Sequence, residues 1–589
     1  MGQEIDFESK PSSKTLGKTE ESPVKVVEFP DERLPKPEPP PGINADVGKL
    51  SPPAKEKATV TENGFPAIGK YFRTVLSRRK SGDGDSNGGG VTEFNMSGVT
   101  VVVRRKEEIE ENGSFEGLGL LKGRVTIYSR SNCRDCGAVR KILREKGLKF
   151  TEINLDVYPA RENELVDRTG GSTVPQIFFN EKLIGGLVAV NSLRNSGLLD
   201  RTAKDLLGRK CPDDAPGPPV YGFDEPEEEQ MDEMAGVVKI LRLRLPIQDR
   251  LVRMRIIKNC FTGKELVDVL VHHLGCPRNE AIEVGKEIVR KHFIHQVFGG
   301  TNFEDGTELY RFLEHEQFIP KCFNFRGSTD DREPESPVVI GQKLMKIMSA
   351  ILESYASEDR LHVDYLAISN SEEFRRYLNV VEGLQRVDIL LLSTDEKLAF
   401  FLNLYNAMVI HAVIRKGFPD GMMDRKSFVT EFQYLVGGNS YSLNAIKNGI
   451  LRNNRRAPYA LVKPFSAGDS RLQMAFPTVN PLIHFGLCDG TKSSPSVRFF
   501  TLQNVQAELK SAAREFFTNS TVKVDLMKRT VNLPCILKWY KADFGNEKEF
   551  TKWVMNYLDA QVTSLLTHLL SDGDFVSILY QNYDWSINS

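Results

Sequence analysis

Val125-Thr126-Ile127-Tyr128-Ser129-Arg130-Ser131-Asn132-Cys133-Arg134-Asp135-Cys136-Gly137-Ala138-Val139 decides how the first folded part of this chain is built. Val125 to Tyr128 is a β-branched and aromatic run, the pattern of a buried strand. Ser129 to Asn132 then turns the chain. From Ala138 to Lys146, Val139, Ile142 and Leu143 recur at helical spacing. Strand, turn, two cysteines and helix is the layout of a thiol-redox site. The first cysteine falls at the helix N-terminus, where unpaired backbone N–H groups and the helix dipole favour a thiolate. Half a zinc site is the competing reading of the pair, but no second Cys or His pair stands nearby at ligand spacing, so no metal is expected.

Working outward, Phe150 to Leu155 alternates as a strand and Pro159 to Arg168 reads as a helix. Thr173-Val174-Pro175 leads a strand to Phe179, Lys182 to Gly186 ends the sheet, and Ser192 to Leu207 supplies a last helix. With the cysteine pair, the Thr-Val-Pro start and the Gly-Gly turn in this order, residues 123–208 resemble a glutaredoxin, of the α/β thioredoxin fold. The resemblance implies Cys133 as nucleophile and Cys136 as resolving cysteine. It implies Arg130 facing the glycine carboxylate of glutathione, Thr173 and Val174 pairing with its cysteinyl part, and Gly185 and Gly186 near its γ-glutamyl end. Pro175 is cis in that family and closes the cleft beside the first cysteine. Glutathione is the implied cofactor, and protein thiols or disulfides are the implied partners. Two departures stand out. Arg134 and Asp135 separate the cysteines, one favouring a thiolate and one opposing it. Leu187-Val188-Ala189-Val190 follows the glycines where the family usually presents an acid.

The chain's 589 residues are too many for one core, and three or four domains are expected. Lys and Arg number 78 against 79 Asp and Glu, a net charge of −1, which argues neither for nucleic acid nor against it; no nucleic-acid partner is expected, and any basic surface must be local. Eight cysteines with a single close pair do not make a secreted disulfide framework; they fit a reducing compartment. Met1-Gly2 opens a myristoylation signal that Asp6 spoils. No apolar signal core and no stretch approaching roughly 20 apolar residues is read from the sequence. The expected location is cytoplasmic, with peripheral membrane attachment open. Residues 1–122 are expected to be disordered, with five prolines between Pro35 and Pro41 and a Gly/Ser/Asp/Asn run from Ser81 to Gly90. Phe65 to Arg79 is the exception, an apolar helical face flanked by Arg73, Arg78 and Arg79.

Residues 209–235 read as an acidic, Pro-rich linker. Residues 236–316 follow, with an opening helix around Val237 to Leu245 and a second helix capped by Thr262. Arg278 to Lys291 is a third helix, and Phe293 to Val297 with Leu309 to Leu313 form a small hairpin. Cys260-Phe261-Thr262-Gly263, Leu266-Val267-Asp268 and Leu309-Tyr310-Arg311-Phe312 resemble a DEP domain, of α+β winged-helix-like fold. That resemblance implies a signalling module that docks on a membrane or a protein. Lys239 to Lys258 carries seven Lys or Arg against Asp249. If Lys239, Arg242, Arg253, Arg255 and Lys258 share a face, that face suits anionic lipid head groups; an ordinary solvated helix surface is the equal alternative.

Residues 317–337 read as a second linker and 338–589 as a mostly helical α+β domain. Thr394 to Lys416 is apolar almost all round, so Asn403, Asn406 and His411 need internal partners. That helix, with His484-Phe485-Gly486-Leu487-Cys488-Asp489-Gly490 and Ser493-Ser494-Pro495, resembles the domain of unknown function 547 over about 385–520. Together the three resemblances are those of a plant-type multidomain protein. His411, His484 and Cys488, oriented by Asn403 or Asn406, make a conceivable Cys–His hydrolase; a buried polar network is the favoured account. The leading expectation is an intracellular signalling protein whose glutaredoxin-like domain performs thiol–disulfide exchange where the DEP domain places it. A non-enzymatic redox sensor or scaffold is the alternative.

Overall fold

The computed structural model describes residues 91–96, 99–104 and 122–589, apart from 220–229, 301, 459, 521, 546 and 572–575. The chain divides into two compact units, residues 1–111 and 112–589. In the first, strands β1 (Val91–Met96) and β2 (Val99–Arg104) pair as an antiparallel hairpin inside the segment expected to be disordered. The β-branched run Val99-Thr100-Val101-Val102-Val103 is the sequence signal for a strand there. The Phe65 to Arg79 segment lies outside the described residues.

The second unit opens with β3 (Val125–Ser129), α1 (Arg134–Glu145), β4 (Phe150–Asn154), α2 (Arg161–Thr169), β5 (Gln176–Phe179) and β6 (Lys182–Gly185). The sheet order β4-β3-β5-β6, with β3 parallel to β4 and antiparallel to β5, is the thioredoxin-fold arrangement expected. The single helix expected over Ser192 to Leu207 is two, α3 (Leu187–Asn195) and α4 (Leu199–Leu207). Gly197, at φ +70°, takes the left-handed conformation that breaks them apart. One sheet face, with Val125, Ile127 and Ile177, is buried against Val139 and Leu143 of α1 and Leu207 of α4. Tyr128, Ile153 and Phe178 point the other way and merge with the core of the C-terminal domain.

The DEP-like part comprises α5 (Glu233–Arg244), β7 (Gln248–Val252), β8 (Arg255–Thr262), α6 (Gly263–Leu274), α7 (Arg278–Arg290), β9 (Ile294–Gln296) and β10 (Leu309–Phe312). Thr262 and Glu265 close a reciprocal capping box at the start of α6. Lys239 to Lys258 is therefore not one helix face. Pro246 stops α5, and the rest folds as the β7–β8 hairpin, turned at Arg253 and Met254 with φ of 49° and 61°.

In the C-terminal domain α8 (Pro337–Tyr355), α9 (Tyr365–Ser369) and α10 (Glu372–Glu382) pack around α11 (Thr394–Lys416). By length and composition α11 could cross a membrane, contrary to the sequence expectation, but 89% of its apolar window is buried inside the fold. It is the core helix. The hairpin expected near Phe432 to Leu443 is present as β11 (Gln433–Val436) and β12 (Asn439–Ser442). A three-stranded sheet of Lys523–Asp525, Thr530–Leu533 and Ser577–Tyr580 was not anticipated.

The segment 317–337 is no loose tether. Arg386 donates to Asp232 Oδ2 at 2.8 Å and to the Asp330 carbonyl at 2.9 Å, and Lys291 Nζ lies 2.9 Å from Asp232 Oδ1. Asn324 donates to the carbonyls of Val381 and Leu435.

Candidate functional site

Strand register gathers the thiol site at one end of the sheet. Tyr128 pairs with Gln176 and Ile177 with Gly185, so the Cys133 loop, Thr173-Val174-Pro175 and Gly185-Gly186 all leave the same edge. Val174–Pro175 is a cis peptide. A Cβ built on Gly186 would stand 3.1 Å from the Pro175 carbonyl oxygen, so glycine lets these two loops meet.

Cys133 is the N-cap of α1, with extended backbone, and its sulfur accepts the Cys136 N–H at 3.4 Å. Both thiols are free; Cys133 is half-buried and Cys136 fully buried. Burial pushes the Cys136 thiol up to about 12, and its hydrogen bond to Cys133 adds to the shift. Cys136 is therefore a neutral donor beside an accessible sulfur, a division of labour that suits attack by one and resolution by the other.

Arg130 is already engaged: Nη2 lies 2.7 Å from Glu162 and Nη1 lies 3.6 Å from Asp156. Lys346, from α8, reaches the same Asp156 at 3.1 Å. After the glycines, Leu187 to Val190 open α3 without an acid, and Val188 is 84% exposed.

The loop before Cys133 rests on α8. Ser131 Oγ donates to the Lys346 carbonyl at 2.8 Å, and Asn132 Nδ2 donates to Ser349 Oγ at 3.2 Å. The Asn132 N–H donates to Glu353 Oε1 at 2.9 Å. Glu353 Oε2 lies 2.9 Å from Arg140 Nη2, which also holds Glu152 at 2.7 Å. None of these α8 partners was anticipated. They lie more than 200 residues along the chain, and no local pattern marks them.

The basic residues of the DEP-like part divide into two groups. Arg242 is paired with Glu314 at 2.7 Å and Asp331 at 3.3 Å, and Lys239 meets Asp331 at 3.5 Å. Arg253, Arg255 and Lys258 lie exposed on the hairpin beside Leu251, Met254 and Ile256, which are 73%, 94% and 65% exposed. The five cations thus fall on two elements: Lys239 and Arg242 on α5, and Arg253, Arg255 and Lys258 on an apolar-tipped hairpin.

In the C-terminal domain the sequence-selected residues are buried struts. Asn403 exchanges two hydrogen bonds with the backbone of Phe500, at 2.8 and 2.7 Å. Asn406 donates to the carbonyls of Gly486 and Arg498 and accepts the Cys488 N–H. His411 Nδ1 meets the Tyr434 hydroxyl. His484 stacks on Tyr540 and bonds Asp543 at 2.9 Å, while burial pulls its imidazole down to about 4. Burial likewise pushes the Cys488 thiol up to about 12. His484 and Cys488 are 1% and 2% exposed and held by different partners. A cleft of about 860 Å³, lined by Arg255, Phe298, Lys321, Phe465 and Arg471, includes neither. The Cys–His hydrolase arrangement does not form. Unforeseen from sequence, Lys447 is buried against Asp489 at 2.9 and 3.0 Å, and the Tyr405 hydroxyl donates to the same carboxylate at 2.5 Å.

Among the described residues no group of three or more His, Cys, Asp or Glu side chains is arranged to hold a metal. Fold and paired thiols together define a thioredoxin-fold thiol module joined to two further modules. Family models agree: glutaredoxin matches residues 125–184, the domain found in Dishevelled, Egl-10 and Pleckstrin matches 244–312, and the protein family of unknown function DUF547 matches 389–517. Glutaredoxin 3 of Escherichia coli (strain K12) is 36% identical over 80 residues, 14% of this chain and 96% of that protein. The glutaredoxin of Pseudomonas aeruginosa is 37% identical over 76 residues, 13% of this chain and 90% of its own length. The crystal structure of a buckwheat glutaredoxin–glutathione complex aligns at 28% identity over 14% of this chain and 79% of that one, with a TM-score of 0.14. Through its first folded module the chain belongs to the glutaredoxin family.

Proposed function

We propose that this is an intracellular signalling protein whose glutaredoxin domain carries out thiol–disulfide exchange on protein thiols, with glutathione as the reductant. The supporting observation is the accessible Cys133 sulfur at the N-terminus of α1, beside the buried, neutral Cys136 thiol. Cys133 thiolate attacks one sulfur of a substrate disulfide, forming a mixed disulfide and expelling the other sulfur as thiolate. Cys136 gives up its proton and attacks Cys133, closing the intramolecular disulfide and releasing the second substrate thiolate. Two glutathione thiols restore the dithiol and leave as glutathione disulfide. Glutathione would sit between Arg130, Thr173-Val174 and Gly185-Gly186. The β7–β8 hairpin, with Arg253, Arg255 and Lys258 around Leu251 and Met254, would bring the module to an anionic membrane surface or a protein partner from a cytoplasmic location.

A second reading, a redox sensor or scaffold without turnover, draws support from the engagement of Arg130 by Glu162 and Asp156. A glutathione-coupled disulfide reductase assay on the full chain separates the two. Turnover in the wild type that disappears in Cys133→Ser supports exchange, and wild-type activity at the level of that variant sinks it.

A further inference from the structure

Among the α8 groups that hold the thiol loop from outside its own module, one is a carboxylate. Glu353, on α8 of the C-terminal domain, accepts the Asn132 N–H at 2.9 Å, one residue before Cys133. Its other oxygen faces Arg140, whose side chain is 4% exposed and already satisfied by Glu152. The Glu353 carbonyl accepts from Arg144 at 3.0 Å, so α8 grips α1 at two turns. Burial raises the Glu353 carboxyl pKa, against the opposing pull of Arg140 and the Asn132 N–H.

We propose that Glu353 is a positioning residue of the thiol site, through which the C-terminal domain sets the electrostatic field at Cys133 and the mobility of its loop; this rests on the thiol-exchange reading above. The charge balance explains why the carboxylate matters. Arg140, Glu152 and Glu353 together carry −1 behind the cysteines, and Arg134 and Asp135 between them cancel. On the flank, Arg130 and Lys346 are balanced by Asp156 and Glu162, and Arg144 stands further along α1. Removing the Glu353 charge leaves Arg140 matched to Glu152 alone, which favours a thiolate at Cys133. Keeping the charge but shortening its reach releases the Asn132 amide instead. The two effects are separable.

The experiment uses the full chain. Iodoacetamide alkylation of Cys133 is followed against pH by peptide mass spectrometry, with Cys133→Ser to assign the signal. In Glu353→Gln the midpoint of the profile moves to lower pH by about half a unit, about threefold in the ionisation constant. Glu358→Gln, which removes only the exposed partner of Lys141, leaves it in place. In Glu353→Asp the midpoint stays near wild type while hydrogen exchange of residues 130–136 speeds up by about tenfold, the loss of roughly one charge-assisted hydrogen bond. Superposable profiles for Glu353→Gln and wild type would overturn the proposal. Should Glu353→Gln not fold, unchanged exchange in Glu353→Asp overturns it equally. Absent reductase turnover in the wild type counts against the exchange reading alone, because the alkylation shift needs no turnover.

Discussion

Two places in this molecule bring cysteine together with polar side chains, and they differ in what surrounds the sulfur. Cys133 caps a helix at the end of a sheet, half-exposed, with the Cys136 amide donating to its sulfur. Cys488 sits two residues after Gly486, in a segment whose backbone is bonded by Asn406 of the core helix, and is sealed from solvent. Similar residue types are placed for access at one site and for cohesion at the other. Reactivity needs an accessible sulfur and a poised partner, whereas cohesion needs every polar group satisfied and no access.

The largest expected effect breaks that comparison at its centre. Cys133→Ser abolishes glutathione-coupled turnover, whereas Cys488→Ala leaves turnover per folded molecule at the wild-type level. Next comes the buried charge cluster. Asp543 holds Arg452, Arg455 and His484, and although burial works against its charge, hydrogen bonds from His484 and Arg452 keep its carboxyl well below the usual range. Asp543→Asn strands Arg452 in the core and costs about 3–5 kcal/mol in urea unfolding, with the alkylation rate of Cys133 unchanged.

A smaller effect is read from pH. Burial lowers His411 to about 3 and His484 to about 4, below the unfolded value of about 6.5. Between those values the unfolded chain binds the protons first, so stability is lost as pH falls from about 6.5. Each histidine contributes a loss of about 1–2 kcal/mol by pH 5, measurable as a falling unfolding midpoint that His411→Phe partly flattens. The smallest effect is at the hairpin: Arg255→Gln, which removes one charge, weakens binding to phosphatidylserine vesicles by about 1 kcal/mol and leaves reductase turnover intact. Vesicle binding unaffected by that change would remove the hairpin from the membrane reading.

What could be read from the sequence was whatever is written locally. The strand–Cys-x-x-Cys–helix order, the Thr262 cap and the apolar helix Thr394–Lys416 each carry their signal within a few turns, and each is present in the fold. The demand that Asn403 and Asn406 find partners was also legible, because a polar side chain on an apolar helix must be satisfied. Their partners, Phe500 and Gly486, were not. The β7–β8 hairpin was obscured because Arg and Lys between Leu251 and Lys258 imitate a helix's polar face, while Pro246 marked the break. Glu353 was invisible for a different reason: a charged residue near the end of a helix looks solvated until another module covers it.

The Asp232–Arg386–Lys291 cluster sets a length scale. It bonds the segment 317–337 to both the DEP-like part and the C-terminal domain, and the C-terminal domain in turn bonds the Cys133 loop, so hairpin and thiol are joined through packed contacts and not on the two ends of a string. A flexible chain would let the thiol sweep a volume around the hairpin. Under the proposed exchange reading this arrangement would act as a ruler, favouring disulfides presented at one distance.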